Sequence, residues 1–161
     1  MSAFDELERA GKIRSWGVSN FDADDLDELL DVAGEGKIAC NQVLYHLKER
    51  AIEHAVIPWC ERHGVAVVAY SPFGHNDFPL RRSPSGEVLH KIAAKHKATP
   101  RQVALAFLTR ETTVFAIPKA SNAEHAAENA AAGDLKLDAS EIAALDAAFP
   151  RGAKPRSLPM L

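Results

Sequence analysis

Four short apolar runs, each leading into a helical pattern, constrain this chain more than any other feature. The runs are Ser15–Ser19, Ile38–Val43, Val65–Ser71 and Thr113–Ile117. Each is rich in β-branched or small apolar residues and lacks clean apolar/polar alternation, which is how strands covered on both faces read. Between them, Leu26, Leu29, Leu30 and Ala33 recur at helical spacing. The same holds for Ile52, Ala55, Val56, Trp59 and Cys60, and for Leu89, Ile92, Ala93 and His96. Thr99-Pro100-Arg101-Gln102 is a capping box with proline at the first helical position. Ser121–Glu124 and Asp138–Glu141 follow the same logic, and Gly11, Gly34, Gly64 and Gly133 sit where helices should end. Alternation at this spacing predicts parallel strands joined by right-handed crossovers. A doubly wound open sheet and an arc of a (β/α) barrel both satisfy it.

Composition narrows the function classes. The chain has 161 residues, about one domain, with no strict repeat or low-complexity segment. Its net charge of -3 offers no basic field to a phosphate backbone, so nucleic-acid binding has no compositional support. No apolar run approaches the ~20 residues of a membrane span. The charged amphipathic stretch Met1–Ala10 has no signal-peptide core. Cys40 and Cys60 lack metal-ligand spacing, which suits a reducing, cytoplasmic location. The segment from Gly74 to Gly86 holds two prolines and no periodicity and reads as a long functional loop. Residues 150–161 read as an irregular C-terminal tail.

Ligands of parallel α/β proteins meet the C-terminal strand ends. There this chain carries Ser19 and Asn20, then Gln42, then Tyr70, Ser71, Phe73 and Gly74, then Pro118, Lys119, Ser121 and Asn122. Amides and hydroxyls can hold a carboxamide. A tyrosine face can stack on a flat heteroaromatic ring. A lysine beside a helix start suits a phosphate. Together these groups describe a nicotinamide dinucleotide, although Asn20 and Asn122 taken singly would serve as caps, Tyr70 as core and Lys119 as a solvated side chain. His54, His63, His90 and His96 fall on helical patterns without metal-ligand spacing, and no metal site is expected.

The same residues carry a resemblance. Gly11–Phe21 (GKIRSWGVSNF), Asn41–His46 (NQVLYH), Ala69–Gly74 (AYSPFG), Thr99–Leu105 (TPRQVAL) and Ile117–Ala120 (IPKA) resemble, in order, segments of the aldo/keto reductases. The resemblance implies a (β/α)8 barrel, of which this chain is the C-terminal half: about four parallel strands with surrounding helices, a single partial domain over residues 1–161. A full barrel takes about 250 residues. The catalytic Asp, Tyr, Lys and His of the family belong to the other half, so no catalytic residue is expected here, and His46 is not a substitute.

By the same resemblance, Ser19, Asn20 and Gln42 bind the nicotinamide carboxamide and Tyr70 stacks under its ring. Ser71, Phe73 and Gly74 line the pyrophosphate. Lys119, with Ser121 and Asn122 nearby, meets the adenosine 2′-phosphate, Pro118 belongs to the same cofactor-binding set, and Glu128 and Asn129 reach the adenine. His125 stands where many members have an arginine; it can stack but offers no bidentate fork. NADP is the expected cofactor, with NAD as the alternative. The implied activity is reduction of aldehydes or ketones, inactive in this half alone. A dinucleotide- or partner-binding half-barrel without turnover, and a truncated piece, are the competing readings. Two open sheet edges, and a concave face with Val18, Val43, Val67 and Phe115 on or beside it, predict self-association or pairing with a complementing half.

Overall fold

The computed structural model describes residues 2–161; Met1, the first residue of the amphipathic N-terminal stretch, lies outside the described residues. The order is α1 (Ser2–Arg9), β1 (Trp16–Ser19), α2 (Ala23–Ala33), β2 (Ile38–Leu44), α3 (Val56–His63), β3 (Ala66–Tyr70), α4 (Pro84–Lys95), α5 (Pro100–Leu108), β4 (Val114–Ala116), α6 (Ala123–Ala131) and α7 (Ala139–Ala148). The strands form one parallel sheet in the order β1-β2-β3-β4. Residues 150–161 run on without helix or strand. No helix among the described residues is long and apolar enough to cross a membrane.

Local chemistry accounts for most element boundaries. Thr99 and Asp138 each form the expected reciprocal capping box, with Gln102 and Glu141. A third, Asp22 with Asp25, opens α2. At α6 the expected Ser121 cap is displaced by one residue: Asn122 is the cap, its Oδ1 accepting from the His125 N–H at 2.8 Å. The continuous helix expected across Ile52–Cys60 is broken. A 3₁₀ turn covers Ala51–His54, Ala55 departs from helical geometry, and α3 starts afresh at Val56. Pro58 is the reason: it cannot donate to the His54 carbonyl and its ring would strike it, so it must sit in a first turn. The loop expected to reach Gly86 ends at Ser83, which caps α4 with Pro84 behind it. Gly86 is buried inside that helix, where a Cβ would lie 1.9 Å from the Leu80 carbonyl oxygen.

The core lies on one face of the sheet. Val43, Val67, Ala69 and Val114 pack there with Leu26, Trp59, Leu89, Val103, Phe107 and Leu145 from the helices. This corrects the placement of Val43 and Val67 on the concave face: both are fully buried against the helices, and Val18 packs at the edge of the same cluster. Only Phe115, of the four, lies on the open face, at 57% exposure. The register explains the split. Ser19 pairs with Gln42, Gln42 with Val68 and Val68 with Phe115, so these four form one row on the open side. Their neighbours in sequence point the other way, because strand side chains alternate and a shift of one residue changes face.

Candidate functional site

The C-terminal ends of the strands gather the polar groups into two adjoining clusters. At the β1–β2 end, the Ser19 hydroxyl donates to the Gln42 carbonyl at 2.9 Å, and the Asn20 N–H donates to the same oxygen at 2.8 Å. Asn20 adopts a left-handed backbone, φ 60°. Its side-chain Oδ1 is buried and has no protein partner among the described residues. A buried acceptor left unpaired costs roughly 1–3 kcal/mol, so such an atom calls for a donor. Asn41 is engaged elsewhere: wholly buried, it ties down the β1–α2 loop, its Nδ2 donating to the Phe21 carbonyl at 2.8 Å.

One strand further, Tyr70 ends β3 in the position paired with Leu44. The Leu161 N–H reaches the Tyr70 hydroxyl at 3.4 Å, so the tail passes over this strand end. Ser71 follows with φ 51°, and its carbonyl accepts from the Gly74 N–H at 2.8 Å to close a tight turn. Gly74 has φ 75°, a conformation that strains other residues, and a Cβ there would push the Asp77 carboxylate aside. Two non-glycine residues with positive φ, at the ends of β1 and β3, are uncommon, and such strain collects at functional sites.

The second cluster is a cleft of about 140 Å³ lined by Phe73, Arg101, Lys119, His125, Glu128 and Asn129. The Ile117 N–H, donating to the Ala69 carbonyl at 3.0 Å, carries the chain from β4 to Pro118 and Lys119. The Gln102 Nε2 donates to the Glu128 carbonyl at 3.0 Å and so locks the start of α5 against α6. Ser121 is exposed beside the cleft, and the Asn122 side chain is committed to capping α6. Of the expected residues, then, Ser19, Asn20 and Gln42 come together. So do Phe73, Lys119, His125, Glu128 and Asn129, with Tyr70, Ser71 and Gly74 between the two groups. Arg101 was missed, because its motif reads as a helix cap and gives no sign of what its side chain faces.

His46 lies in the turn after β2, its N–H donating to the Glu49 carbonyl at 3.1 Å. Burial holds its ring below the ordinary histidine value, against the pull of Asp77 and Glu49. A larger polar network stands away from both clusters. Arg50 Nη2 donates to Glu53 Oε2 at 2.6 Å and to Asp146 Oδ1 at 2.7 Å, and its Nη1 donates to the Phe149 carbonyl at 2.6 Å. Burial pushes the Glu53 carboxyl up, but hydrogen bonds from Arg50 and Tyr45 and the charges of Arg110 and Arg50 outweigh it and hold the group below its ordinary value. Burial, aided by Glu53, pushes the Tyr45 phenol well above its ordinary range, against the opposing charge of Arg110. This network fastens α7 and the start of the tail to the segment after β2. No group of three or more His, Cys, Asp or Glu among the described residues could hold a metal ion.

Four parallel strands in sequential order, helices on one face and polar groups gathered at the C-terminal strand ends define a class: an arc of a parallel α/β barrel. The chain belongs to the aldo/keto reductase family, whose sequence model matches residues 1–149. It is 38% identical to the methylglyoxal reductase YeaE of Escherichia coli K12 over all of this chain and 57% of that protein's length. It is 34% identical to the glyoxal reductase of Bacillus subtilis over 90% of this chain and 49% of that protein. An aldo-keto reductase of Klebsiella pneumoniae solved in complex with NADPH superposes with a TM-score of 0.89 at 39% identity, covering 99% of this chain and 56% of that one. The chain thus spans about half the length of the relatives it matches.

Proposed function

We propose that this chain is the cofactor-binding half of a nicotinamide-dependent carbonyl reductase, and that NADP lies across the two clusters. The observation that carries the reading is the meeting of Ser19, Asn20 and Gln42 at one strand end, with Phe73, Lys119, His125, Glu128 and Asn129 lining a cleft at the other ends. A carboxamide offers a donor edge and an acceptor edge, which the hydroxyl and amide groups of Ser19, Asn20 and Gln42 can match. The structure of the Klebsiella relative with NADPH supports the choice of ligand. When bound, the reduced nicotinamide supplies a hydride to a carbonyl carbon.

The chain's own residues then have distinct tasks. Ser19, Asn20 and Gln42 fix the ring's orientation through its carboxamide, and Tyr70 supports its face. The turn from Ser71 to Gly74, with Phe73, lets backbone approach the pyrophosphate. Pro118 sets the direction in which Lys119 leaves β4, so that the ammonium and Ser121 meet the adenosine phosphate. Asn122 holds the start of α6, which presents His125, Glu128 and Asn129 to the adenine side. The proton donor to the carbonyl oxygen comes from the half of the fold outside this chain. By kinship with the methylglyoxal and glyoxal reductases, small 2-oxoaldehydes are the first substrates to assay. The unit is a single partial domain, and the unpaired outer edges of β1 and β4 are where a complementing half or a second copy would join.

Calorimetric titration with NADPH tests the cofactor reading, and absence of binding would overturn it. The half-barrel reading is tested by NADPH oxidation with methylglyoxal. The chain alone should show none, and mixing it with the preceding half of a relative should restore it. Aldehyde-dependent oxidation by the chain alone would refute that reading.

A further inference from the structure

Arg101 is the second residue of α5, and its place is fixed from both sides. Pro100 and the Thr99–Gln102 capping box set the helix start, while the 3.0 Å hydrogen bond from Gln102 to the Glu128 carbonyl anchors that start to α6. The guanidinium therefore stands in the same cleft as Lys119, His125 and Asn129. Its carbon lies 5.5 Å from the ring centres of both Phe73 and Phe78, which are themselves packed edge-to-face. Among the described residues it forms no salt bridge, and its side chain makes no hydrogen bond. A guanidinium resting on aromatic rings keeps its in-plane N–H donors free.

The cleft thus holds two cations without a salt-bridge partner, Arg101 and Lys119, against one carboxylate, Glu128. His125 can add one N–H or a stacking face, but no paired donors. A phosphate monoester carries the charge and the pair of acceptor oxygens that a guanidinium fork matches. Resting on the cofactor reading above, we infer that Arg101 determines specificity for the 2′-phosphate of the adenosine ribose, clamping it against Lys119. It supplies the bidentate contact that His125 cannot.

The test uses the full chain and two probes, adenosine 2′,5′-bisphosphate and 5′-AMP, titrated by calorimetry. Arg101 is exposed, so Arg101→Ala and Arg101→Lys should melt as the parent does, which circular dichroism checks. Arg101→Ala should weaken the bisphosphate at least tenfold and AMP less than twofold. Arg101→Lys should recover only part of the loss, and adding His125→Arg to Arg101→Ala should recover more. Equal losses for both probes would overturn the inference by assigning Arg101 to the base or the shared 5′-phosphate, and no loss for either would overturn it outright. In both cases the cofactor reading stands. A parent chain that binds neither probe would overturn that reading and the inference together.

Discussion

The two faces of the sheet differ sharply. On the helix side, Val67 and Ala69 are wholly buried among Trp59, Phe107 and Leu89. On the other side, the row Ser19, Gln42, Val68 and Phe115 has no helix layer over it among the described residues, and Phe115 and Ile117 are 57% and 48% exposed. The same strands supply both faces. The difference teaches that the core of this chain is built on its helix side, while the other side stays open. The polar strand ends inherit their geometry from that core, which is why a half-barrel can present a preformed edge.

The strongest test of this contrast is a matched pair of truncations. Phe107→Ala, deep on the helix side, should cost roughly 3–5 kcal/mol in urea denaturation. Phe115→Ser on the open side should stay within about 0.5 kcal/mol of the parent when both are measured at concentrations too low for association. If Phe115→Ser costs as much as Phe107→Ala, the open face is covered in solution and the contrast fails.

The buried Arg50–Glu53 pair belongs to the helix side of the comparison. Removing one partner of such a pair costs roughly 3–5 kcal/mol, and Glu53→Ala should fall in that range. Because Glu53 is held below the ordinary value of 4.5, its contribution is present above that pH and fades as pH falls through the lowered value. A pH series of urea midpoints should therefore decline below about pH 4.5, and more shallowly in Glu53→Gln. An unchanged acid limb in that variant would assign the decline to other carboxylates.

On the open face, Phe115→Asp should weaken association with a second copy or a complementing half. Loss of a buried Phe contact of about 1.5–3 kcal/mol corresponds to roughly 10–150-fold, read by sedimentation velocity at several concentrations. A parent chain that sediments as a monomer throughout, with a cooperative melt, would show that the face needs no partner. The smallest expected effect on binding is at the strand ends. Lys119→Ala should weaken NADP about tenfold while leaving NAD nearly unchanged, and equal losses would argue against contact with the 2′-phosphate.

Much of this molecule was legible in one dimension because its signals are local. Two capping boxes, the four apolar runs and the glycines after α2 and α3 each need only a few neighbouring residues to act. The polar strand ends could be named for the same reason, since parallel strands bring their C-terminal residues to one edge whatever their partners are. What failed involved parity or distance. Val43 and Val67 were assigned to the wrong face because an unbroken apolar run does not say which residue points inward; their pairing with Ala69 and Val114, on the side the helices cover, decides it. Ile52–Cys60 carried a helical period that Pro58 interrupts.

The sequence by itself determined the parallel α/β class, most helix starts and the kind of ligand chemistry offered at the strand ends, because propensity, capping and period act within a few residues. Only the tertiary structure decided which face is core, that Asn20 is left with an unpaired buried oxygen in a left-handed conformation, and that Arg101 shares a cleft with Lys119. It alone joined Arg50 to Asp146, 96 positions away, and to Phe149. Those facts depend on how strands pair and helices dock, and contacts between distant residues are set by packing rather than by any neighbour in the chain.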